Sequence, residues 1–249
     1  MIRCLGLTMT FGTLVAVDRL DLEVAAGTVF GFLGRNGAGK TTSIRMMVGL
    51  LAPTAGTALL GGHDIRRDPE AAKAVTGYLP DRPHLHGKLT GLEHLEFVGG
   101  LYGLAGREAR ARAGALLDEL GLAAQASDLV ETYSHGMKQR LALAGVLIHR
   151  PRILILDEPM VGLDPEGARE LRRRLRRLAA DGTTIFLSTH SLAVAEEVSD
   201  RIGIVDRGRL VAAGTLAELR ARGGGPEASL EDVFLDILGV GGGAGGEAA

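Results

Sequence analysis

A glycine-rich segment ending in a lysine and two threonines carries the strongest chemical signal in the sequence. It follows a short apolar run at 28–33 and precedes a predicted helix over 43–50. Glycines let backbone N–H groups point inward, and a helix N-terminus adds its positive dipole end, so such a loop can surround phosphate oxygens. The lysine is expected to reach β- and γ-phosphates, and the first threonine to bind Mg²⁺. The predicted phosphate-binding residues are Gly34, Asn36, Gly37, Ala38, Gly39, Lys40, Thr41 and Thr42.

Two adjacent carboxylates follow a second apolar run. Residues 153–156 have the pattern of a buried parallel strand, and Asp157 and Glu158 come directly after them. Open α/β sheets place their ligands at the C-terminal ends of the strands. One carboxylate can hold the Mg²⁺ shell while its neighbour orients and deprotonates water. We therefore predict Asp157 as a metal ligand and Glu158 as the base that activates water. The loop by itself does not distinguish a kinase, a GTPase or a transport motor.

Apolar β-type runs alternate with helix-type segments, which is typical of an α/β fold with a mostly parallel sheet. The main domain is predicted to cover 1–222, and helical spacing between about 82 and 150 predicts an inserted α-helical subdomain. Residues 223–238 are predicted to form a linker and a C-terminal helix, and 239–249 a disordered Gly/Ala tail. Strands are expected at 2–7, 15–24, 28–33, 153–156 and 183–187, with a hairpin formed by 202–206 and 209–213.

Composition argues against several classes of protein. The formal net charge of −2 disfavours a nucleic-acid binder that relies on an overall positive field, so no nucleic-acid partner is predicted. The single cysteine, Cys4, fits a reducing compartment. The sequence shows no signal-peptide pattern and no apolar run near the roughly 18 residues of a membrane span. We expect a soluble chain that reaches a membrane only through a partner.

Further motifs resemble those of the ATP-binding subunit of ABC transporters, in the same order and over nearly the whole chain. The segment 133–140 resembles the LSGGQ signature and keeps Ser134 and Gly136, which are expected to open a helix over 137–149. Asp164 ends a segment that resembles the D-loop, and His190 resembles the switch histidine. Phe11 lies where an aromatic residue normally stacks on adenine, and Asp81 lies where the Q-loop belongs.

The resemblance implies a P-loop NTPase core with a mostly parallel sheet, an antiparallel β subdomain and the inserted helical subdomain. It also implies a homodimer closing around two Mg-ATP, in which Ser134 and Gly136 address ATP held by the other subunit. Asp164 is predicted to bind nucleotide as well. His190 would act with Glu158 in catalysis. A separate integral-membrane permease, contacted through about 82–101, would hold the chain in the cytoplasm, at the inner face of the cell membrane.

Within the family, the segments 77–81, 89–91, 101–104 and 229–234 most resemble the export branch that works with ABC-2 type permeases. An importer subunit is the runner-up. A soluble ABC ATPase acting on ribosomes or DNA is the alternative outside transport, although such proteins usually carry paired motor domains or a long coiled-coil insertion.

Two departures from the family pattern affect the predicted site. Asp81 stands where the family has Gln, and a carboxylate can hold Mg²⁺ or its water, so Asp81 is predicted as a metal ligand. In the signature, His135 and Met137 replace Gly and Gln. Met137 cannot make the hydrogen bond that Gln offers to a ribose. Because the serine and the second glycine are kept, the phosphate contact is still predicted.

Overall fold

The structure is a computed structural model that describes residues 1–223, 225 and 228–239. Ten strands within these residues form two sheets. The strands are β1 (Ile2–Phe11), β2 (Leu14–Val24), β3 (Val29–Leu33), β4 (Ala55–Leu60), β5 (His63–Asp64), β6 (Thr76–Leu79), β7 (Ile153–Asp157), β8 (Thr184–Thr189), β9 (Arg201–Asp206) and β10 (Arg209–Gly214).

Most helices begin at a side chain that caps their first turn. Thr90, Thr215 and Ser229 each form a capping box with the acidic residue three positions on, which satisfies backbone N–H groups that lack a helical partner. The helices are α1 (Lys40–Met47), α2 (Pro69–Ala74), α3 (Gly91–Leu101), α4 (Gly106–Glu119), α5 (His135–Leu147), α6 (Pro165–Ala180), α7 (Leu192–Val198), α8 (Leu216–Arg222) and α9 (Leu230–Ile237).

The six-stranded sheet has the order β10-β9-β3-β8-β7-β6, and all its pairings are parallel except that of β10 with β9. Its central strands β3, β7 and β8 are buried along their whole length, as expected where helices cover both faces. Phe186 on β8 packs against Phe30 and Phe32 on β3, with ring centroids 5.7 and 5.2 Å apart. The parallel register brings the C-terminal ends of β3, β8, β7 and β6 to one edge.

The four-stranded sheet has the order β2-β1-β4-β5 and is antiparallel. A two-residue turn joins β1 to β2, so that Phe11 pairs directly with Leu14. Beyond this sheet, α3, α4 and α5 lie between β6 and β7 in the chain and contact one another. The predicted mixture of a parallel core, an antiparallel sheet and intervening helices is confirmed.

Several predicted boundaries were wrong. The helix after the glycine-rich loop begins at Lys40 rather than 43 and ends at Met47, because Gly39 adopts a left-handed φ of 102° that lets the chain enter the helix directly. Helix α5 begins at His135 rather than 137, because the Ser134 side chain accepts a hydrogen bond from the Met137 N–H. The strands β4, β5 and β6 and the helices α2, α7 and α8 were not predicted.

The predicted linker falls partly, and the predicted tail almost wholly, outside the described residues, which omit 224, 226, 227 and 240–249. Among the residues that the structure does describe, no helix combines the length and the apolar character needed to cross a membrane.

Candidate active site

The glycine-rich loop joins β3 to α1 and holds Lys40 over the C-terminal edge of the sheet. Lys40 is only 7% exposed, and its Nζ donates to the carbonyls of Gly34 at 2.7 Å and Arg35 at 3.4 Å. The same Nζ lies 3.6 Å from Oε1 of Glu158. A buried ammonium attracts an incoming anion more strongly than one in water does, although the Glu158 carboxylate opposes part of this attraction until the anion replaces it. The ammonium, the α1 N-terminus and the loop N–H groups together form a phosphate-binding arrangement.

Two glycines in the loop have a steric requirement. A Cβ on Gly34 would lie 2.5 Å from the Val205 carbonyl oxygen, and a Cβ on Gly39 would lie 2.7 Å from that of Ala16. Gly39 also has a positive φ, which side chains rarely adopt. The loop therefore packs tightly against neighbouring backbone.

Glu158 follows β7 and has a left-handed backbone, with φ of 52°, which is uncommon for a residue with a side chain. Its N–H donates to the carbonyl and the hydroxyl of Ser188 on β8 at 3.2 and 3.1 Å, and these bonds stabilise the turn. Its Oε2 lies 3.0 Å from Nδ1 of His190 and accepts a 3.4 Å hydrogen bond from the His190 N–H. The carboxylate therefore lies between Lys40 and His190.

Asp157 is 1% exposed, and its two carboxylate oxygens differ in their partners. Oδ1 accepts a hydrogen bond from the Ser188 hydroxyl, whereas Oδ2 is buried with no hydrogen-bond partner among the described residues. Burial of an unpaired carboxylate oxygen is costly unless a ligand completes it. Hard oxygen donors are what Mg²⁺ prefers. This oxygen could therefore ligate Mg²⁺, as could Thr41 and Asp81, which line the cleft described below.

A cleft of about 750 Å³ connects these groups to the end of the β1–β2 hairpin. Phe11 lies on its wall and is 50% exposed. Of the predicted phosphate-binding residues, Asn36, Gly37, Gly39, Lys40, Thr41 and Thr42 line the cleft, together with Asp81, Glu158 and His190. The remaining predicted loop residues, Gly34 and Ala38, are buried behind it.

The sequence prediction missed other residues that line this cleft. Leu14 and Val15 are 64% and 46% exposed and extend the apolar wall beside Phe11. Cross-strand pairing in the two-residue hairpin could have identified both, because Leu14 pairs with Phe11 and Val15 with Thr10. Arg35, Val161 and Arg207 also line the cleft. Nothing in the local sequence around Arg207 indicates that placement.

Ser134, Gly136 and Asp164 do not line this cleft. They border a separate depression of about 470 Å³ between α5 and α6. Ser134 caps α5, and Asp164 caps α6 by accepting a 2.7 Å hydrogen bond from the Gly167 N–H. A Cβ on Gly136 would meet nothing within 4 Å in the described part of the chain. The predicted site residues therefore form two groups on one subunit.

Known proteins resemble this chain in both sequence and fold. The profile of the ABC transporter family matches residues 17–161, more than half of the chain. The chain belongs to the ABC transporter family. A daunorubicin resistance ATP-binding protein of Streptomyces coeruleorubidus is 46% identical over 220 residues, which cover 88% of this chain and 70% of that protein. The chain spans 40% of the length of another curated relative, so it matches only part of some of these proteins.

Solved structures of ABC proteins superpose closely on this chain. The ATP-binding subunit of an ABC transporter has a TM-score of 0.89 at 32% identity, covering 96% of this chain and 99% of that one. A dimeric ATP-binding cassette in a post-hydrolysis state with ADP and Pi has a TM-score of 0.79 at 25% identity, covering 87% and 99%. These findings confirm the predicted family, the P-loop NTPase fold and the prediction that this ABC subunit binds and hydrolyses ATP.

Proposed function

We propose that this ABC ATPase works as a homodimer that closes around two Mg-ATP and drives a separate permease in the export of small organic compounds. Support for export comes from the drug-resistance name of the relative from Streptomyces, and support for pairing from the dimeric cassette of the same fold. An importer subunit remains the runner-up. A soluble ATPase of ribosomes or DNA has no comparable support here.

The observation that carries the catalytic part of the proposal is the position of Glu158. Its left-handed backbone aims the carboxylate into the cleft, where Lys40 and His190 contact opposite oxygens. A γ-phosphate bound by Lys40 would replace its contact with Glu158, which frees that carboxylate to accept a proton from water. His190 holds the other oxygen and fixes the direction of the carboxylate.

The remaining residues bind and orient the substrate. Phe11, with Leu14 and Val15 beside it, offers an apolar wall for adenine, and the loop from Gly34 to Thr42 addresses the phosphates. Thr41, Asp157 and Asp81 would hold Mg²⁺. When bound, that ion neutralises charge on the β- and γ-phosphates.

The second group of residues supports the dimer. Ser134 and Gly136 lie at the N-terminus of α5, a positive pole that faces no phosphate loop of its own chain. The space beside Gly136 has no occupant in the described part of the chain. An ATP held by a second copy would supply the missing anion at Ser134 and Gly136. Asp164, in the segment that resembles the D-loop, would approach the same ATP.

An exposed apolar group on and after α3 supports a membrane partner. Phe97, Leu101 and Tyr102 are 46%, 71% and 41% exposed, although large apolar side chains are more often buried. They overlap or adjoin the segment 82–101 that was predicted to contact the permease. A permease in contact here would hold the subunit at the inner face of the cell membrane.

Glu158→Gln tests the proposal. We expect the turnover rate to fall by about 10²–10⁴-fold, because the amide cannot accept the proton from water. ATP affinity should be retained, and ATP-bound dimers should accumulate and be visible by sedimentation. Glu70 is exposed and lines neither the cleft nor the depression between α5 and α6. The control variant Glu70→Gln should therefore turn over ATP at nearly the wild-type rate.

Near-normal turnover in Glu158→Gln would remove Glu158 as the base. Transport direction is measured separately, in cells that carry the subunit with the permease that co-purifies with it. Cells with active subunit should retain less daunorubicin than cells with Glu158→Gln. Greater retention with the active subunit would indicate an importer.

A further inference from the structure

Two charged side chains on the cleft wall, those of Arg35 and Arg207, have no part in the mechanism above. Arg207 lies in the turn between β9 and β10, and its side chain is 93% exposed while lining the cleft. Its only carboxylate contact within 4 Å among the described residues is with Asp206, at 3.7 Å. We propose that Arg207 binds the α-phosphate of the nucleotide. The inference rests on the proposed placement of ATP in this cleft.

Backbone contacts fix the β9–β10 turn between the two parts of the cleft. The Gly208 N–H donates to the Ala38 carbonyl at 2.9 Å, on the phosphate loop. The Gly208 carbonyl accepts from the Asp18 N–H at 2.9 Å, on β2. A Cβ on Gly208 would lie 2.6 Å from the Ala16 carbonyl oxygen, so only glycine allows this close approach. The turn therefore joins the strand carrying the apolar wall to the loop carrying the phosphate donors.

A side-chain contact adds to this attachment. Arg209 donates from both Nε and Nη2 to Oδ2 of Asp18, at 2.8 and 2.5 Å. Because β9 and β10 also pair with each other, the turn cannot move without breaking several hydrogen bonds. Arg207 therefore projects from a fixed backbone, and its left-handed φ of 45° is determined by the surrounding contacts.

The order of groups along the cleft identifies which part of ATP faces Arg207. Phe11, Leu14 and Val15 occupy the end proposed for adenine, and Lys40 and Thr41 the end proposed for the β- and γ-phosphates. The β9–β10 turn contacts Ala16, which is next to Val15 in the chain, and Gly39, which is next to Lys40, so it adjoins both ends. The α-phosphate is the anion that lies between base and β-phosphate in ATP. A guanidinium suits it because it can donate two parallel hydrogen bonds.

The test compares ligands that differ by one phosphate at a time. Adenosine, AMP, ADP and ATP would each displace a fluorescent ATP analogue from the purified subunit. Arg207→Gln should weaken AMP, ADP and ATP by a similar factor, roughly tenfold, the lower end for a charge-assisted hydrogen bond because the side chain is exposed. Adenosine should be unaffected. Arg207→Asn, whose side chain tolerates a left-handed backbone, should give the same pattern.

Arg19 provides a matched control. It too has a left-handed backbone, with φ of 46°, an exposed side chain and a contact with the aspartate that precedes it, but it does not line the cleft. Arg19→Gln changes the net charge equally and should leave all four affinities unchanged. An equal effect of both variants would reduce the role of Arg207 to long-range charge and overturn the inference.

Two other outcomes also overturn it. If the affinity for adenosine falls together with that for AMP, Arg207 contacts the base rather than the α-phosphate. If no affinity changes, Arg207 does not contact the nucleotide. Failure of the underlying placement is recognised separately with Lys40→Ala, which should weaken ADP and ATP but not AMP. If Lys40→Ala changes none of the affinities, ATP does not bind as proposed, whatever Arg207 does.

Discussion

Helices α1 and α5 both begin next to a glycine and present a positive N-terminal pole, yet their surroundings differ. The N-terminus of α1 is enclosed by the phosphate loop, and Lys40, 7% exposed, lies beside Glu158. The N-terminus of α5 is open. Ser134 is exposed, and its hydroxyl accepts the hydrogen bond that caps the helix. A Cβ on Gly136 would meet no atom within 4 Å in the described part of the chain. Within the described residues, charged side chains of the same subunit converge on the first pole, whereas the space beside Gly136 at the second is empty.

This difference shows what a single chain can and cannot complete. A tightly packed loop and a buried ammonium at α1 place the phosphate donors together within one subunit, and ATP has only to replace the contact of Lys40 with Glu158. At α5 the same dipole would be mostly screened by water until an anion is brought to it. Variants at the first pole should therefore affect the isolated subunit, whereas variants at the second should affect only the association of two subunits.

The largest effect in this comparison is expected from Lys40→Ala. Removing the ammonium deletes charge-assisted bonds to the phosphates, each worth roughly 1.5–3 kcal/mol, so ATP affinity should fall by about 100-fold. Calorimetry with Mg²⁺ present measures this on the monomer. Lys88, whose side chain is 85% exposed and does not line the cleft, gives the control Lys88→Ala. Unchanged ATP affinity in Lys40→Ala would show that the α1 pole is not the phosphate site.

A smaller but more selective effect is expected from Ser134→Arg in the Glu158→Gln background. The bulky cation would occupy the space that the proposal gives to the γ-phosphate of the partner. Dimers formed with ATP should weaken by at least about tenfold in sedimentation, a loss typical of a blocked contact at the centre of an interface. Binding of ATP to the monomer should remain.

The matched control for that experiment is Ser127→Arg, because Ser127 is exposed and lines neither group of site residues. Ser134→Ala separates loss of the helix cap, which lowers stability by about 1 kcal/mol, from obstruction. Normal dimers of Ser134→Arg would mean that each ATP site is complete within one chain, and the contrast between the two poles would then have no functional meaning.

The sequence predicted the α1 pole better than its surroundings, for a physical reason. The donors from Gly34 to Thr42 and the carboxylates after β7 are local patterns in which residue type and spacing determine the chemistry. Arg207 reaches the cleft only because Gly208 contacts β2 and the phosphate loop, and those partners are far away in sequence. The helix starts at Lys40 and His135 were missed because a left-handed Gly39 and a serine cap set them, whereas apolar spacing shows only the middle of a helix.

The smallest effect is expected at Asp81. A variant at this residue distinguishes a role in Mg²⁺ binding at the α1 pole from a role in contact with a partner. Asp81 lines the nucleotide cleft, but it also lines a second groove of about 430 Å³ with His84, Leu85 and Lys138. Its side chain is 46% exposed, and its carboxylate lies 4.0 Å from Nε of Arg82. The position therefore allows either an Mg²⁺ contact or a contact with the permease, and the two roles predict different measurements.

We favour the metal role. Oδ2 of Asp157 is a buried hard oxygen with no hydrogen-bond partner among the described residues, and a second carboxylate would add another hard oxygen ligand for Mg²⁺. Asp81→Asn should raise the Mg²⁺ concentration for half-maximal ATPase activity of the isolated subunit by about threefold. This is below the roughly 10–100-fold that loss of a hydrogen-bonding partner of a metal ligand typically costs, because Asp81 is partly exposed. The exposed Asp128 supplies the control Asp128→Asn, which should leave the titration unchanged. If Asp81→Asn also leaves it unchanged and impairs only transport with the permease present, Asp81 belongs to the groove. In that case Asp81 would not connect Mg²⁺ to the permease through its side chain. Coupling between ATP and the permease at this position would then depend on the backbone after β6.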